Sequence, residues 1–170
     1  MTDTGTITAA PLGLFTRDQV EMLAARKDEP GWLREARLAA YEAFAAAPMP
    51  SRAEEDWRYS YAKLGKALQL DALAFAEERG PAASPDALPA GLAAVVAESG
   101  ETSARLAQVD SSVVWRELPE TLAAQGVVFT SLEAAARDHP ELVRRHLGAA
   151  LAPGDGKFAA MSAAFWTGGV

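Results

Sequence analysis

The alternation of apolar and charged residues is most regular in the segment after Pro30. Apolar side chains recur there at the spacing of one helix face, and proline is well placed in the first turn of a helix. These apolar positions are Trp32, Leu33, Ala36, Ala40 and Phe44. The charged residues between them predict a solvated opposite face, formed by Arg34, Glu35, Arg37 and Glu42.

Capping signals predict shorter helices on both sides of this one. Thr16 with Gln19 is typical of a capping box, which opens a helix to about Lys27. Ser51 with Glu54 is a second such pair, and it predicts a short helical turn. Apolar spacing also favours a helix over residues 64–79.

The second half of the chain carries helix signals as well. Thr130 with Glu133 predicts a helix that runs to about His139. Pro140 then restarts a helix through Leu147.

Two regions of the second half are predicted to be strands. Residues 104–109 and 112–118 alternate apolar and polar side chains around a turn at Asp110-Ser111, which predicts a β-hairpin. Residues 127–129 indicate a short buried strand. The predicted fold is therefore α+β and predominantly helical, with a small sheet of three or four strands covered by helices.

Breaker residues divide the chain into five predicted parts. Glycine and proline are dense in the connector at residues 80–90, and the last segment is apolar, so we expect it to continue into further structure. The parts are a disordered lead at 1–13, a helical part at 14–79, the connector at 80–90, a small α+β part at 91–156 and the final segment at 157–170.

Composition predicts an ordinary globular protein in the cytoplasm. Hydrophobic residues make up 49% and charged residues 23% of the chain. The net charge of -7 repels phosphate backbones and anionic lipids, so it disfavours binding to nucleic acid or to a membrane surface. Charged residues or proline interrupt every apolar run, and residues 1–13 do not resemble a signal peptide.

The chain contains no cysteine. It therefore has no disulfide, no thiolate nucleophile and no thiolate ligand for iron. We expect this segment to hold no metal through thiolate ligands and to carry no cofactor of its own.

A search for catalytic residues finds little. His139 and His146 lack a carboxylate at a metal-binding spacing, and the acidic run at residues 54–56 is explained by a helix N-terminus. The glycine pairs at 154 and 156 and at 168 and 169 lack the context of a phosphate loop, and we expect them to be turns. The sequence therefore predicts no catalytic residue, no metal ligand and no enzyme activity.

An aromatic and charged segment follows two closely spaced prolines and is the candidate interaction site. It reads Pro48-Met-Pro-Ser-Arg-Ala-Glu-Glu-Asp-Trp-Arg-Tyr-Ser-Tyr61. The prolines predict a sharp turn. The aromatic residues lie two apart, which would place them on one side of an extended chain. Trp57, Arg58, Tyr59 and Tyr61 either anchor this turn to the core or form a protein interface, for which aromatic residues and arginine are typical.

Three segments together resemble a known family. The first is Glu29-Pro-Gly-Trp-Leu-Arg-Glu-Ala-Arg-Leu-Ala-Ala-Tyr-Glu-Ala-Phe44, the second is the aromatic segment above, and both are similar to the opening of the SufD branch of the SufB/SufD family. The third is Asp155-Gly-Lys-Phe-Ala-Ala-Met-Ser-Ala-Ala-Phe-Trp-Thr-Gly-Gly169, which departs from the family pattern in having Ser162 where asparagine is usual.

The resemblance implies an N-terminal domain of a scaffold subunit of the Suf iron–sulfur cluster assembly machinery. In that family a long parallel β-helix begins after this domain, and a helical region that docks the Suf ATPase follows. The implied partners are the sister scaffold subunit, which is SufB-like, and the SufC-like ATPase, and an iron–sulfur cluster is implied only for the complete complex.

Two hypotheses of function follow. The chain is a non-catalytic N-terminal domain with a structural or partner-positioning role, or it is a stand-alone helical adaptor that binds a protein through the aromatic turn at residues 57–61.

Overall fold

The computed structural model describes residues 14–60, 75 and 77–170. The predicted lead at 1–13, most of the helix predicted over 64–79 and Tyr61 lie outside these residues. The described part is predominantly helical with one antiparallel sheet, which confirms the α+β class. Its helices and strands are α1 (Arg17–Arg26), α2 (Gly31–Ala46), α3 (Ala90–Glu98), β1 (Arg105–Val109), β2 (Ser112–Glu117), α4 (Glu120–Ala124), α5 (Leu132–Asp138), α6 (Pro140–His146) and α7 (Lys157–Phe165).

These residues divide into two compact units. The first unit contains residues 14–60 and 145–166, and the second contains 75, 77–144 and 167–170. Across the described ranges, no helix has both the length and the apolar character needed to cross a bilayer.

Helix α1 begins where its capping signal predicts. The side-chain oxygen of Thr16 accepts a hydrogen bond from the backbone N–H of Gln19, and Lys27 follows the last helical residue. Asp28 then has a positive φ of 48°, so the chain turns sharply before α2.

Helix α2 buries Leu33, Ala40 and Phe44 as predicted, but its buried face differs from the prediction at Arg37. Ala36 is exposed, whereas Arg37 is only 1% exposed, so the prediction of a solvated Arg37 was wrong. The buried residues follow one another at a spacing of four, three and four residues, as expected for one face of a helix. The predicted face has Ala36 in place of Arg37. The buried face consists of Leu33, Arg37, Ala40 and Phe44.

The core of the first unit forms where α2 meets α7. Phe44 packs on Ala160, and the rings of Phe44 and Phe165 meet edge to face with 6.2 Å between centroids. Ala160 and Ala164 are completely buried. Because alanine has so small a side chain, the two helices approach closely along this line.

The second unit is built around the predicted hairpin, which is confirmed. Strands β1 and β2 are antiparallel, with an irregularity in register between Ala107 and Gln108. Asp110 occupies the turn with a φ of 53°. One face of the hairpin packs against the preceding loop and α3, in a core of Leu88, Val96, Ala107 and Val114.

The sheet of the described residues has two strands, fewer than predicted. Residues 127–129 are not a strand, and Val127 and Val128 are 44% and 43% exposed. The backbone N–H of Val127 instead donates to the carbonyl of Leu122, after Gly126 with a φ of +84°. This left-handed turn closes the C-terminus of α4, so the N–H of Val127 is not available to a sheet.

Helix α5 begins one residue later than its capping signal predicts. Ser131, not Thr130, accepts the hydrogen bond from the backbone of Ala134. The following helix α6 starts at Pro140 as expected.

The end of the helix predicted over 64–79 is not helical where it is described, at residue 75 and from residue 77 onward. The backbone N–H of Arg79 donates to the hydroxyl of Ser112, and that of Ala82 donates to the carbonyl of Val114. These hydrogen bonds hold the segment alongside β2.

Candidate interaction site

The aromatic turn of the first unit is a short 3-10 helix, Glu55–Trp57, followed by turns. The short helical turn predicted from Ser51 and Glu54 is therefore confirmed, and the described aromatic residues do not lie along one side of an extended chain. Trp57 is half-buried, and its ring packs on that of Phe158 with 5.3 Å between centroids. Tyr59 is 83% exposed.

Charged residues of this turn interact mainly with their neighbours in sequence. A carboxylate oxygen of Glu54 accepts a hydrogen bond of 2.6 Å from the backbone N–H of Ser51, which is one half of the predicted capping box. Arg58 forms an exposed ion pair of 2.8 Å with Glu55. Because both side chains are accessible to solvent, this pair contributes little to the stability of the fold.

A cleft of about 540 Å³ lies beside the turn, within the first unit. Most of its lining is apolar and comes from the two prolines, the aromatic turn and the start of α7. Its polar side chains are Glu54, Asp56, Asp155 and Lys157.

Lys157 connects α7 to the C-terminal end of α2. Its ammonium group donates hydrogen bonds of 2.8 Å to the carbonyls of both Phe44 and Ala47, and it lies 4.6 Å from the centre of the Phe44 ring. Burial lowers the pKa of Lys157, because the charged form is partly desolvated. The carbonyls at a helix C-terminus and the ring face both attract the cation.

A buried ion pair lies elsewhere in this unit. The guanidinium of Arg37 donates to both carboxylate oxygens of Glu29 at 2.7 to 3.0 Å, and the two side chains are 0% and 1% exposed. Arg37 also donates to the carbonyl of Ala164 at 3.0 Å. Its guanidinium carbon lies 4.1 Å from the centre of the Trp166 ring.

These contacts explain how a charged pair is tolerated inside the unit. The bidentate hydrogen bonds, the carbonyl and the ring face together compensate for the loss of water around Arg37. The sequence analysis placed Arg37 on the solvated face and did not predict its contacts with Glu29 and Trp166. The available signal was the position of Arg37 in the apolar spacing between Leu33 and Ala40.

The glycines at positions 168 and 169 are not in turns, contrary to expectation. A side chain at Gly168 would meet the backbone of Ser111 at 3.1 Å, so this glycine permits a close approach within the second unit. The carbonyl of Gly169 accepts a hydrogen bond from the backbone of Leu132.

Within the described ranges, no group of three or more histidine, aspartate or glutamate residues is arranged to hold a metal ion. His139 is the C-cap residue that follows α5, and His146 is the last residue of α6.

Comparison with known proteins identifies the family of this α+β domain. A family model for the SufBD protein N-terminal region matches residues 12–170. The chain therefore belongs to the SufB/SufD family, in its N-terminal region.

Individual relatives agree with this match. A protein of Mycobacterium leprae described as an iron–sulfur cluster assembly SufBD family protein is 31% identical over 165 residues, which cover 91% of this chain and 18% of that protein. The iron–sulfur cluster assembly protein SufB of Bacillus subtilis is 30% identical over 165 residues, which cover 91% of this chain and 33% of SufB. The chain thus spans a third or less of the length of these relatives. No solved structure is significantly similar to it.

The three segments that carry the family resemblance meet in the first unit. Glu29 and Arg37 belong to the first segment, Trp57 to the second, and Phe158 and Trp166 to the third. Their contacts with one another join parts of the chain that lie more than 100 positions apart. The residues that define the resemblance are therefore used to hold this unit together.

Proposed function

We propose that this chain is the non-catalytic N-terminal domain of a subunit of the Suf iron–sulfur cluster assembly scaffold, with a structural or partner-positioning role. The observation that carries the proposal is the use of the family segments in packing. Arg37 binds the carboxylate of Glu29 and the carbonyl of Ala164 in α7, and it lies over the ring of Trp166. A cluster-binding or catalytic site would instead direct such polar groups toward an open space.

The absence of cysteine supports the same division of roles. Iron–sulfur clusters are held mainly by cysteine thiolates, and this chain has none. In the proposed complex, the cluster is bound by other parts of the scaffold. The proposed partners are the sister scaffold subunit and the Suf ATPase, and the proposed location is the cytoplasm.

The branch within the family is a finer question. The opening segments favour a SufD-like subunit, whereas one of the relatives is a SufB protein. Determining the coding sequence that follows Val170 tests the SufD assignment, because the cluster ligands that separate the sister subunits are expected there.

Deleting this domain from the full-length subunit tests the positioning role. The proposal predicts that the subunit without residues 14–166 still folds but recovers less of the sister subunit and the ATPase in co-purification. Arg34→Met, which changes one exposed side chain of α2, serves as the matched control and should leave recovery unchanged. Full recovery of both partners by the truncated subunit would refute the positioning role.

One observation favours the adaptor as a second candidate function. Tyr59 is 83% exposed beside a paired but solvent-accessible Arg58, and these residue types are common in protein interfaces. Changing Tyr59 to alanine would then abolish binding of a partner by this domain alone. Retained binding after this substitution would exclude the adaptor hypothesis.

A further inference from the structure

The cleft beside the aromatic turn has an apolar surface that the described residues of the first unit leave open. Trp57 and Phe158 lie in its wall, and Leu151 at its edge is 55% exposed. A volume of about 540 Å³ is within the range of sites that hold a small ligand or a few side chains.

The charged side chains that line the cleft are predominantly negative. Among the described residues, Glu54 and Asp155 accept hydrogen bonds only from the neutral backbone groups of Ser51 and Ala152, so neither carboxylate is paired with a cation there. Asp56 has no hydrogen bond or ion pair with another described residue.

The positive groups nearby do not cancel this charge. Lys157 is the single cation among the described lining residues, and it is directed at the carbonyls of Phe44 and Ala47. The first turn of α7 also borders the cleft without a side-chain cap, and its partial charge is about half an elementary charge. The negative charge of the three carboxylates is larger than the positive charge of Lys157 and the helix N-terminus together.

From this combination we propose that the cleft binds an extended segment of a partner protein that presents a lysine or arginine next to a leucine-sized apolar side chain. The apolar side chain packs on Trp57 and Phe158, and the cation pairs with Asp56. This inference rests on the partner-positioning role proposed above and specifies the chemistry of the partner.

Peptide titration of the isotope-labelled 170-residue chain tests the proposal by nuclear magnetic resonance. The probes are three blocked pentapeptides, Gly-Leu-Lys-Leu-Gly and its counterparts with glutamine or glutamate in place of lysine. The lysine peptide should shift the indole N–H signal of Trp57 and the amide signal of Gly156. It should bind about two- to fivefold more tightly than the glutamine peptide, the contribution of an exposed ion pair, and the glutamate peptide should bind most weakly.

Two variants make the test specific to the cleft. Asp56→Asn should remove the preference for lysine over glutamine, whereas Leu151→Ser should weaken both peptides equally. Glu35→Gln changes an exposed carboxylate of α2 outside the cleft and should leave the preference intact.

Other outcomes would overturn the proposal. These are no shift with the lysine peptide, equal binding of all three peptides, a preference that survives Asp56→Asn, or a dimer in sedimentation that Leu151→Ser dissociates. The titration detects only the cleft and the domain deletion detects only the positioning role, so the two proposals can fail separately.

Discussion

Arg37 and Glu29 form a buried bidentate ion pair eight positions apart in the sequence, and the same guanidinium binds the carbonyl of Ala164. One side chain thus ties the start of α2 to the end of α7. Burial removes water from both charges, so each side chain depends on the other for compensation. If one partner is removed, the other is left as an unpaired buried charge.

Removing Arg37 alone should therefore be severe. Arg37→Met leaves the carboxylate of Glu29 buried without its partner, and we expect a loss of about 3–5 kcal/mol in the free energy of unfolding. Urea denaturation followed by circular dichroism measures this loss. The double variant Glu29→Leu/Arg37→Met should recover most of it.

The exposed pair of Arg34 and Glu21 provides the control on the same helix. Its atoms lie 3.3 Å apart and both side chains are accessible to solvent, so Arg34→Met should cost less than about 1 kcal/mol. Equal effects of Arg34→Met and Arg37→Met would contradict the structural role assigned to the buried pair.

Lys157 should stabilise the C-terminal end of α2. Lys157→Met removes two hydrogen bonds to the carbonyls of Phe44 and Ala47, and we expect a loss of about 1–2 kcal/mol. Thermal unfolding detects the change. Arg145→Met, at an exposed position of α6, should change stability by less than about 0.5 kcal/mol, and a similar loss in both variants would count against the cap.

Trp57 and Tyr59 should respond differently to substitution, although they lie two residues apart. Trp57→Ala removes the contact with the Phe158 ring, with an expected loss of about 1–3 kcal/mol. Tyr59→Ala removes a side chain that is 83% exposed, and stability should change by less than about 0.5 kcal/mol. Denaturant midpoints of the two variants distinguish a turn anchor from a surface residue, and matching losses would refute this division.

Gly168 should not tolerate a larger side chain. In Gly168→Ala the added methyl group would lie 3.1 to 3.3 Å from the atoms of Ser111, so we expect a loss of about 1–3 kcal/mol. Gly91→Ala is the matched control, since this helical glycine has open space around it, and it should raise stability by up to about 1 kcal/mol. The close approach would be disproved if both variants gained stability in thermal unfolding.

Local signals predicted much of the fold. The cap of α1 was predictable because the hydroxyl of Thr16 and the backbone N–H of Gln19 are only three residues apart, so their hydrogen bond depends on no distant segment. The hairpin around Asp110 was predictable for the same reason. The alternation of apolar and polar residues and the turn residue both act over a few positions. Leu33, Ala40 and Phe44 are buried as the apolar spacing predicted.

Contacts between distant segments account for most of what the sequence did not predict. Arg37 is buried because of Ala164 and Trp166, which lie more than 120 positions away. The cleft is lined by the aromatic turn and the start of α7, which are about 100 positions apart, so neither segment alone predicts it. The local apolar run at residues 127–129 indicated a strand, but the turn at Gly126 used its first backbone N–H group.

The proposed function requires that this domain take part in a cluster assembly scaffold without binding the cluster itself. Anaerobic addition of ferrous iron and sulfide to the isolated chain, followed by desalting and analysis of bound iron, tests it most directly. We expect no bound iron and no visible cluster absorbance on this chain, and both on the full-length complex treated in the same way. A stable cluster on the isolated chain would contradict the claim.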